Sequence, residues 1–325
     1  MKCRWRLLLT ILAMLGMAAG HPASAADFPD QPVKIMVGFA PGGTVDLIAR
    51  IIANQLQVIW KQPVVVENRA GASGFVGANI VARAKPDGYL VVLANPTSHI
   101  LGPQATPAPY DALKDITLIS DIMRVPNVLV VGQSVKARTM KELAAAAKAA
   151  PGTMSFASGG TGSLQQLAGV SFSQRIGGKL VHVPYNGSAA ALSDLISGRV
   201  TMAFEPSGAM IPYITSGKLR ALALTASQRL PQLPNVPTAK EAGFDNFEFY
   251  TWYGIGGPPG MPKDIVAKWH DGIVAAMKVP DVRKQIALLG GEPIGDTPAH
   301  FTAMYQADYR NTGKLMKEAG IAMEK

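Results

Sequence analysis

The stretch Val33-Lys34-Ile35-Met36-Val37-Gly38-Phe39, followed by Ala40-Pro41-Gly42-Gly43-Thr44-Val45-Asp46, decides the fold. The first part is a short, mostly apolar run of the length and composition of a buried strand. Pro41-Gly42-Gly43 breaks it. Beyond the break, Val45, Ile48, Ala49, Ile52, Leu56 and Ile59 recur at helical spacing. Thr44 is the expected N-cap, and Asp46 in the first turn suits the positive end of the helix dipole. A strand, a glycine turn and a helix in this order form the first half of a βαβ unit.

Working outward, Pro63 to Glu67 reads as a second strand, and glycines 71, 74 and 77 lead into a helix over Val76 to Ala84. Pro86-Asp87-Gly88 is a turn and Tyr89 to Ala94 a third strand. A parallel sheet covered by helices is the expected result. Residues 95–126 read as a long, proline-rich crossing. The pattern then restarts with a strand at Asn127 to Gly132, a helix at Met140 to Ala150 and a strand at Met154 to Ala157. The loop Ser158-Gly159-Gly160-Thr161-Gly162-Ser163 runs into a helix, Leu164 to Ile176. Leu180 to Pro184, Val200 to Phe204 and Leu219 to Thr225 are further strands, and Ala189 to Ser197 is a helix after the loop Tyr185 to Ser188. The last segment is helical, over Lys263 to Met277, Pro280 to Leu289 and Pro298 to Ala319. Thr297 and Pro298 make an N-cap and N1 pair for the last helix.

The chain has 325 residues, 48% hydrophobic and 16% charged, too apolar for a disordered chain and long enough for two lobes. Its N-terminus reads as an export signal. Lys2, Arg4 and Arg6 precede the apolar run Leu7 to Ala19, and Ala23-Ser24-Ala25 supplies a small-residue cleavage pattern. Cleavage after Ala25 takes three positive charges from a formal net charge of +9 and removes Cys3, the only cysteine. Disulfides, thiolate metal sites and a cysteine nucleophile are thereby excluded from the exported chain. The remaining basic residues are dispersed, so nucleic acid is not an expected partner.

Two glycine loops at helix starts are the features that carry chemistry. Glycines let a ligand approach backbone N–H groups that a helix start leaves unpaired, and the dipole adds positive potential there. A carboxylate or phosphate needs no lysine at such a place. Neither loop is a P-loop or a dinucleotide fingerprint. Gly71-Ala72-Ser73-Gly74-Phe75 falls one glycine short of a nucleophile elbow. His99, His182, His270 and His300 are isolated in sequence, so no metal site is expected. Glu205, after a strand and before Pro206, is either an N-cap or a cleft residue that accepts a hydrogen bond from a ligand.

Eight phrases together resemble the periplasmic Bug/TctC-type receptors of tripartite tricarboxylate transporters. They are GFAPGGTVDLIAR (38–50), QPVVVENRAGASG (62–74), ARAKPDGYLVVLAN (82–95), FASGGTGSLQQLAG (156–169), VHVPYNGSAAALSDLISGRV (181–200), GKLRALALT (217–225), LPNVPTAKEAGF (233–244) and GEPIGDTPAHF (291–301). The resemblance implies an α/β, two-lobed, type II-like periplasmic binding protein fold, a Venus flytrap in which each lobe is a mainly parallel sheet with flanking helices. Lobe 1 would comprise 26–126 and 252–325, and lobe 2 residues 127–251, behind a signal peptide at 1–25. It implies a small organic carboxylate held between the loops 39–46 and 158–163. An integral-membrane permease of the same class, or a sensor kinase, would be the partner of a periplasmic monomer.

The candidate ligand-binding residues are Phe39, Ala40, Pro41, Gly42, Gly43, Thr44 and Asp46 in the first loop, with Ser98. In the second half they are Ser158, Gly159, Thr161, Ser163, Tyr185, Asn186 and Glu205. No cofactor, metal or catalytic residue is expected. Gln166, Asn186 and Thr201 stand where the family usually has His, Lys and Asp, and Ala70 and Ala190 where it has Pro. The alternative of another class is an exported α/β hydrolase or lyase using Ser73 or His182.

Overall fold

The computed structural model describes residues 28–321, so the expected export segment, 1–25, lies outside the described residues. Strand β1 (Val33–Val37) runs parallel between β2 (Val64–Asn68) and β3 (Leu90–Ala94), with Ile35 opposite both Val66 and Val91. Helix α1 (Thr44–Trp60) buries Ile48, Ala49, Ile52, Ala53 and Leu56 against this sheet, the stripe expected from their spacing. Each large aliphatic side chain so buried contributes about 1.5–3 kcal/mol. Helix α2 (Phe75–Ala82) comes after a glycine turn. A π-helical turn, Thr97–Leu101, continues as α3 (Gly102–Ala105).

Strand β4 (Thr117–Gly132) is the spine of the molecule. From Thr117 to Pro126 it pairs antiparallel with β9 (Tyr250–Gly257), and Met123 and Arg124 pair with β10 (Glu292–Pro293). From Asn127 onward it changes partners, to β7 (Met202–Pro206) and β8 (Leu219–Leu224). Beyond β7, β5 (Ser155–Ser158) and β6 (Val181–Pro184) extend the second half in parallel. Each half therefore has a parallel outer trio and antiparallel strands at its centre. The sheets are mixed, which corrects the expectation of mainly parallel sheets. The expected long crossing at 95–126 ends in the first ten residues of a buried strand. Buried Asp121, half-buried Arg124 and Pro126 disguise it as a loop.

Helices α4 (Met140–Ala149), α5 (Leu164–Arg175), α6 (Ser188–Ser197) and α7 (Ser207–Thr215) cover the second half. Helices α8 (Lys263–Lys278), α9 (Pro280–Leu288) and α10 (Pro298–Glu318) return to the first. The Thr297 side chain accepts from His300 N–H, and Pro298 occupies the first turn of α10. The first half packs around Trp269, Ile35 and Ile52, the second around Phe156, Phe172, Phe204 and Phe247. A third cluster joins them, with Leu164 and Leu167 of α5 against Met36, Trp252, Phe301 and Tyr305.

Candidate functional site

A small, narrow cavity lies between the two halves, at the carboxyl ends of β1, β3, β5 and β7. Its wall is Phe39, Ala40, Gly43, Thr44 and Val45 from the first loop, with Asn95, Thr97 and Tyr253 from the same half and Thr251 where β9 crosses between the halves. Gly159, Gln165, Gly187, Ala189 and Pro206 close it from the other. Among the described residues no lysine, arginine or histidine lines it.

Helix α1 begins behind Gly43, not behind Thr44 as its sequence suggests, and has no side-chain cap. Thr44 is its first residue, and its hydroxyl oxygen accepts from Ala209 N–H of α7, 3.1 Å away across the cleft. Helix α6 likewise begins behind a glycine, Gly187, without a side-chain cap. Helix geometry leaves first-turn N–H groups of both helices without an intrahelical partner, those of Thr44, Val45 and Ala189 bordering the cavity, while Ala190 N–H donates to Gly187 O at 3.1 Å. A Cβ on Gly187 would sit 3.2 Å from the Phe39 ring, so the loop before α6 packs on the side chain that opens the first loop. Two uncapped N-termini in one enclosed space make a site for an anion.

Asp46 does not line this cavity. Its buried carboxylate accepts from Gly42 N–H at 3.0 Å, from Asn68 Nδ2 at 3.0 Å and from two Arg50 nitrogens at 3.0 and 2.9 Å. Burial alone would raise its pKa, but the bonds from Arg50, Gly42 and Asn68 outweigh that and hold it below the usual carboxylate range. Asp46 is thus the brace that shapes the loop, while Pro41 and Gly42 form its exposed crest.

The second loop is built differently. Ser163 caps α5, its hydroxyl accepting from Gln166 N–H at 3.2 Å, and Gln166 Oε1 accepts from Gly162 N–H at 2.7 Å. Ser158 is fully buried, bonded to Gly160 and 2.6 Å from His182 Nε2. Thr161 is exposed, and its carbonyl accepts from Ser73 Oγ across the cleft at 3.0 Å. Only Gly159 of this loop lines the cavity. Ser158 and Ser163, expected to hold the carboxylate, have their hydroxyls engaged within the loop and its neighbouring strand, while Thr161 is bonded through its backbone carbonyl alone.

Tyr185 donates to Asp194 Oδ2 at 2.7 Å, tying its loop to α6; burial and that carboxylate push its pKa up to about 12. Asn186 is exposed. Ser98 is buried 2.7 Å from His99 Nδ1, and its neighbour Thr97 faces the cavity instead. Glu205 lies inside β7, fully buried, and is not an N-cap. Sequence reasoning missed the polar lining residues Asn95, Thr97, Gln165, Thr251 and Tyr253, and with them Val45, Pro206 and the α6 start at Gly187 and Ala189. Asn95 alone carries a readable signal, as a polar residue just past the carboxyl end of a strand.

Ser158 and His182 resemble a nucleophile and base only in distance. The serine hydroxyl is inaccessible and turned into its own loop, and Ser73 bonds to a carbonyl. Among the described residues no cluster of His, Cys, Asp or Glu is placed to hold a metal ion, and no helix is long and apolar enough to cross a membrane.

Residues 48–321 match the model of TctC, the tripartite tricarboxylate transporter family receptor. The chain belongs to this family. This receptor is 34% identical to the protein BugT of Bordetella pertussis over 324 residues, 98% of this chain and 99% of BugT. Its structure is similar to that of Rhodopseudomonas palustris Rpa4515 with adipate, at 32% identity and a TM-score of 0.88, covering 91% and 99% of the two chains. It is also similar to MatC from the same organism with bound malate, at 28% identity and a TM-score of 0.84, covering 89% and 99%. The family is one of transporter receptors, so this TctC-family chain is an extracytoplasmic receptor and not an enzyme.

Proposed function

We propose that this receptor takes up a small organic carboxylate in the cavity between its lobes and delivers it to a membrane permease of the tripartite tricarboxylate class. The observation that carries the reading is the pair of uncapped helix starts, behind Gly43 and Gly187, in a cavity that no cationic side chain lines among the described residues. Oriented backbone N–H groups hold an anion there without the desolvation penalty of a buried cation. The adipate and malate of the two Rhodopseudomonas proteins support the carboxylate class. Export through a signal cleaved after Ala25 puts the receptor in the periplasm, as a monomer.

Lobe 1 is residues 26–126 with 252–325 and lobe 2 residues 127–251, a division supported by the change of strand partners between Pro126 and Asn127. The lobes close by bending where β4 and β9 run side by side, Val125 opposite Thr251 and Pro126 opposite Tyr250. Mass spectrometry of ligand released from gently isolated receptor, followed by a thermal-shift screen of carboxylic acids, tests the reading. Ligand at a hundred times Kd adds about 2.7 kcal/mol, on the order of 5 °C in Tm for a chain of this size. A screen in which only neutral sugars or cations raise Tm overturns it.

A further inference from the structure

Two buried primary amides face the cavity from opposite halves. Asn95 is 2% exposed and comes just after β3; its Oδ1 accepts from Ser98 N–H at 3.2 Å. That bond fixes the amide plane and leaves Nδ2 as a donor with no protein partner. Gln165, second residue of α5, is 6% exposed and lies against Gly159, and its Oε1 has no partner among the described residues. A buried polar group without a partner is destabilising, so a donor and an acceptor held unpaired at one cavity are complementary to a ligand that supplies both.

The electrostatics of the wall narrow that ligand further. The starts of α1 and α6, behind Gly43 and Gly187, both open onto this cavity and form its electropositive end. The rest of the polar wall is neutral: Asn95, Thr97, Gln165, Thr251 and Tyr253. Behind it, fully buried Glu205 adjoins lining residue Pro206, and after burial itself its charge adds to the upward push on the Tyr253 phenol. An ionised second carboxylate has acceptors only and leaves Gln165 Oε1 unpaired. It also brings a second negative charge to a wall with no cationic side chain among the described residues.

We infer that the ligand carries one carboxylate and, at its other end, a neutral group that both donates and accepts, a primary amide or a hydroxyl, read by Gln165 and Asn95. The carboxylate sits at the helix starts; the neutral end donates to Gln165 Oε1 and accepts from Asn95 Nδ2. This rests on the carboxylate function proposed for the cavity and makes the two amides the specificity-determining residues of the site.

The test is calorimetric titration of the full receptor, stripped of ligand, with a chain-length series from succinic to pimelic acid, the matching monoamides and the plain monoacids. At neutral pH the best monoamide should bind at least about tenfold tighter than its diacid and its monoacid, as expected where a site is built to hydrogen-bond a substrate group. Gln165→Leu should cost the monoamide about tenfold or more and change the monoacid by less than about threefold. Gln165→Glu, an isosteric change, should also cost the monoamide affinity, and circular dichroism of both ligand-free variants confirms folding. If acids bind but diacids equal or exceed the monoamides, or if Gln165→Leu weakens all acids alike, this inference falls and the carboxylate reading stands. If no acid of any length binds, the carboxylate reading falls and takes this inference with it.

Discussion

The loops 39–46 and 158–163 share one plan: a strand, a run of glycines, then a helix start with a hydroxyl residue. They differ in which residue occupies the cap position. In the first, Gly43 is the N-cap and the hydroxyl residue, Thr44, comes one place too late to cap. Its N–H groups stay open to the cavity, and the hydroxyl reaches across to α7. In the second, Ser163 is itself the N-cap and fills the place a ligand oxygen would take. The binding partner of the first loop is therefore the start of α6, again behind a glycine cap. A glycine cap leaves donors for a ligand, and a serine cap satisfies them within the protein.

The largest expected effect comes from removing the brace of the open loop. Asp46→Ala abolishes the bonds to Gly42, Asn68 and Arg50, breaking a pair whose carboxylate is buried. Because the arginine is half exposed, the cost should sit near the low end for such pairs, about 3 kcal/mol, or roughly 5 °C in Tm. Binding of the identified ligand should fall as well, since the loop loses its shape. Unchanged affinity in Asp46→Ala would show that the first loop is not a ligand contact.

The role given to α6 is tested by Ala189→Pro. Proline is tolerated in a first helical turn and deletes one N–H. A hydrogen bond to a charged group is worth about 1.5–3 kcal/mol, so affinity should drop roughly ten- to a hundredfold, with ligand-free Tm nearly unchanged. Loss of Tm without loss of affinity would return the second contact to the 158–163 loop.

Much of this comparison was legible in the residues. The apolar spacing of α1, the glycine turns and the Thr297-Pro298 start of α10 each obey a local rule, so their elements lie where expected. The first ten residues of β4, Thr117 to Pro126, were hidden because their signals are non-local. Asp121 is tolerated inside it next to Arg124, 3.1 Å away, and Pro126 falls where the strand changes partners. Strand β9 reads as loop because of Gly254, Gly256 and Gly257. Yet the places of their missing Cβ atoms are crowded by Phe301, Ile116 and Met261. Helix α7 was missed because Pro212 lies inside it. At the site, which polar residues line the cavity depends on how two halves of the chain meet, and no local pattern of Gln165 or Thr251 records that.

Acid should separate the two loops by pH. Burial lowers the pKa of His182, so the folded chain disfavours its cation. Its contribution is complete above the unfolded value of about 6.5 and is lost as pH falls below that. Asp46 has a depressed carboxylate pKa, so its contribution is complete above about 3.9 and lost as pH falls through the folded value. Between about pH 6.5 and pH 4, the second loop should loosen while the first holds. Hydrogen exchange of Gly160 and Gly42 across that range measures it, and His182→Asn should remove the upper phase alone. Simultaneous release of both amides would mean that the loops are locked by a common element.

The smallest effect is the sharpest test of the contrast. Ser163→Ala removes a cap whose acceptor serves Gln166 N–H, which costs about 1 kcal/mol and on the order of 2 °C in Tm. Affinity should stay within about threefold, because the ligand never had that donor. Thr161→Ala should change neither quantity: its side chain is exposed, and the Ser73 bond uses its backbone carbonyl. The pair is informative because a ligand-contacting loop predicts the reverse, a loss of affinity from both substitutions and little change in Tm. If Thr161→Ala weakens binding tenfold, the second loop must turn its hydroxyl inward when the ligand is bound. The capped loop would then be a contact after all, and a serine cap would not keep a helix start from serving a ligand.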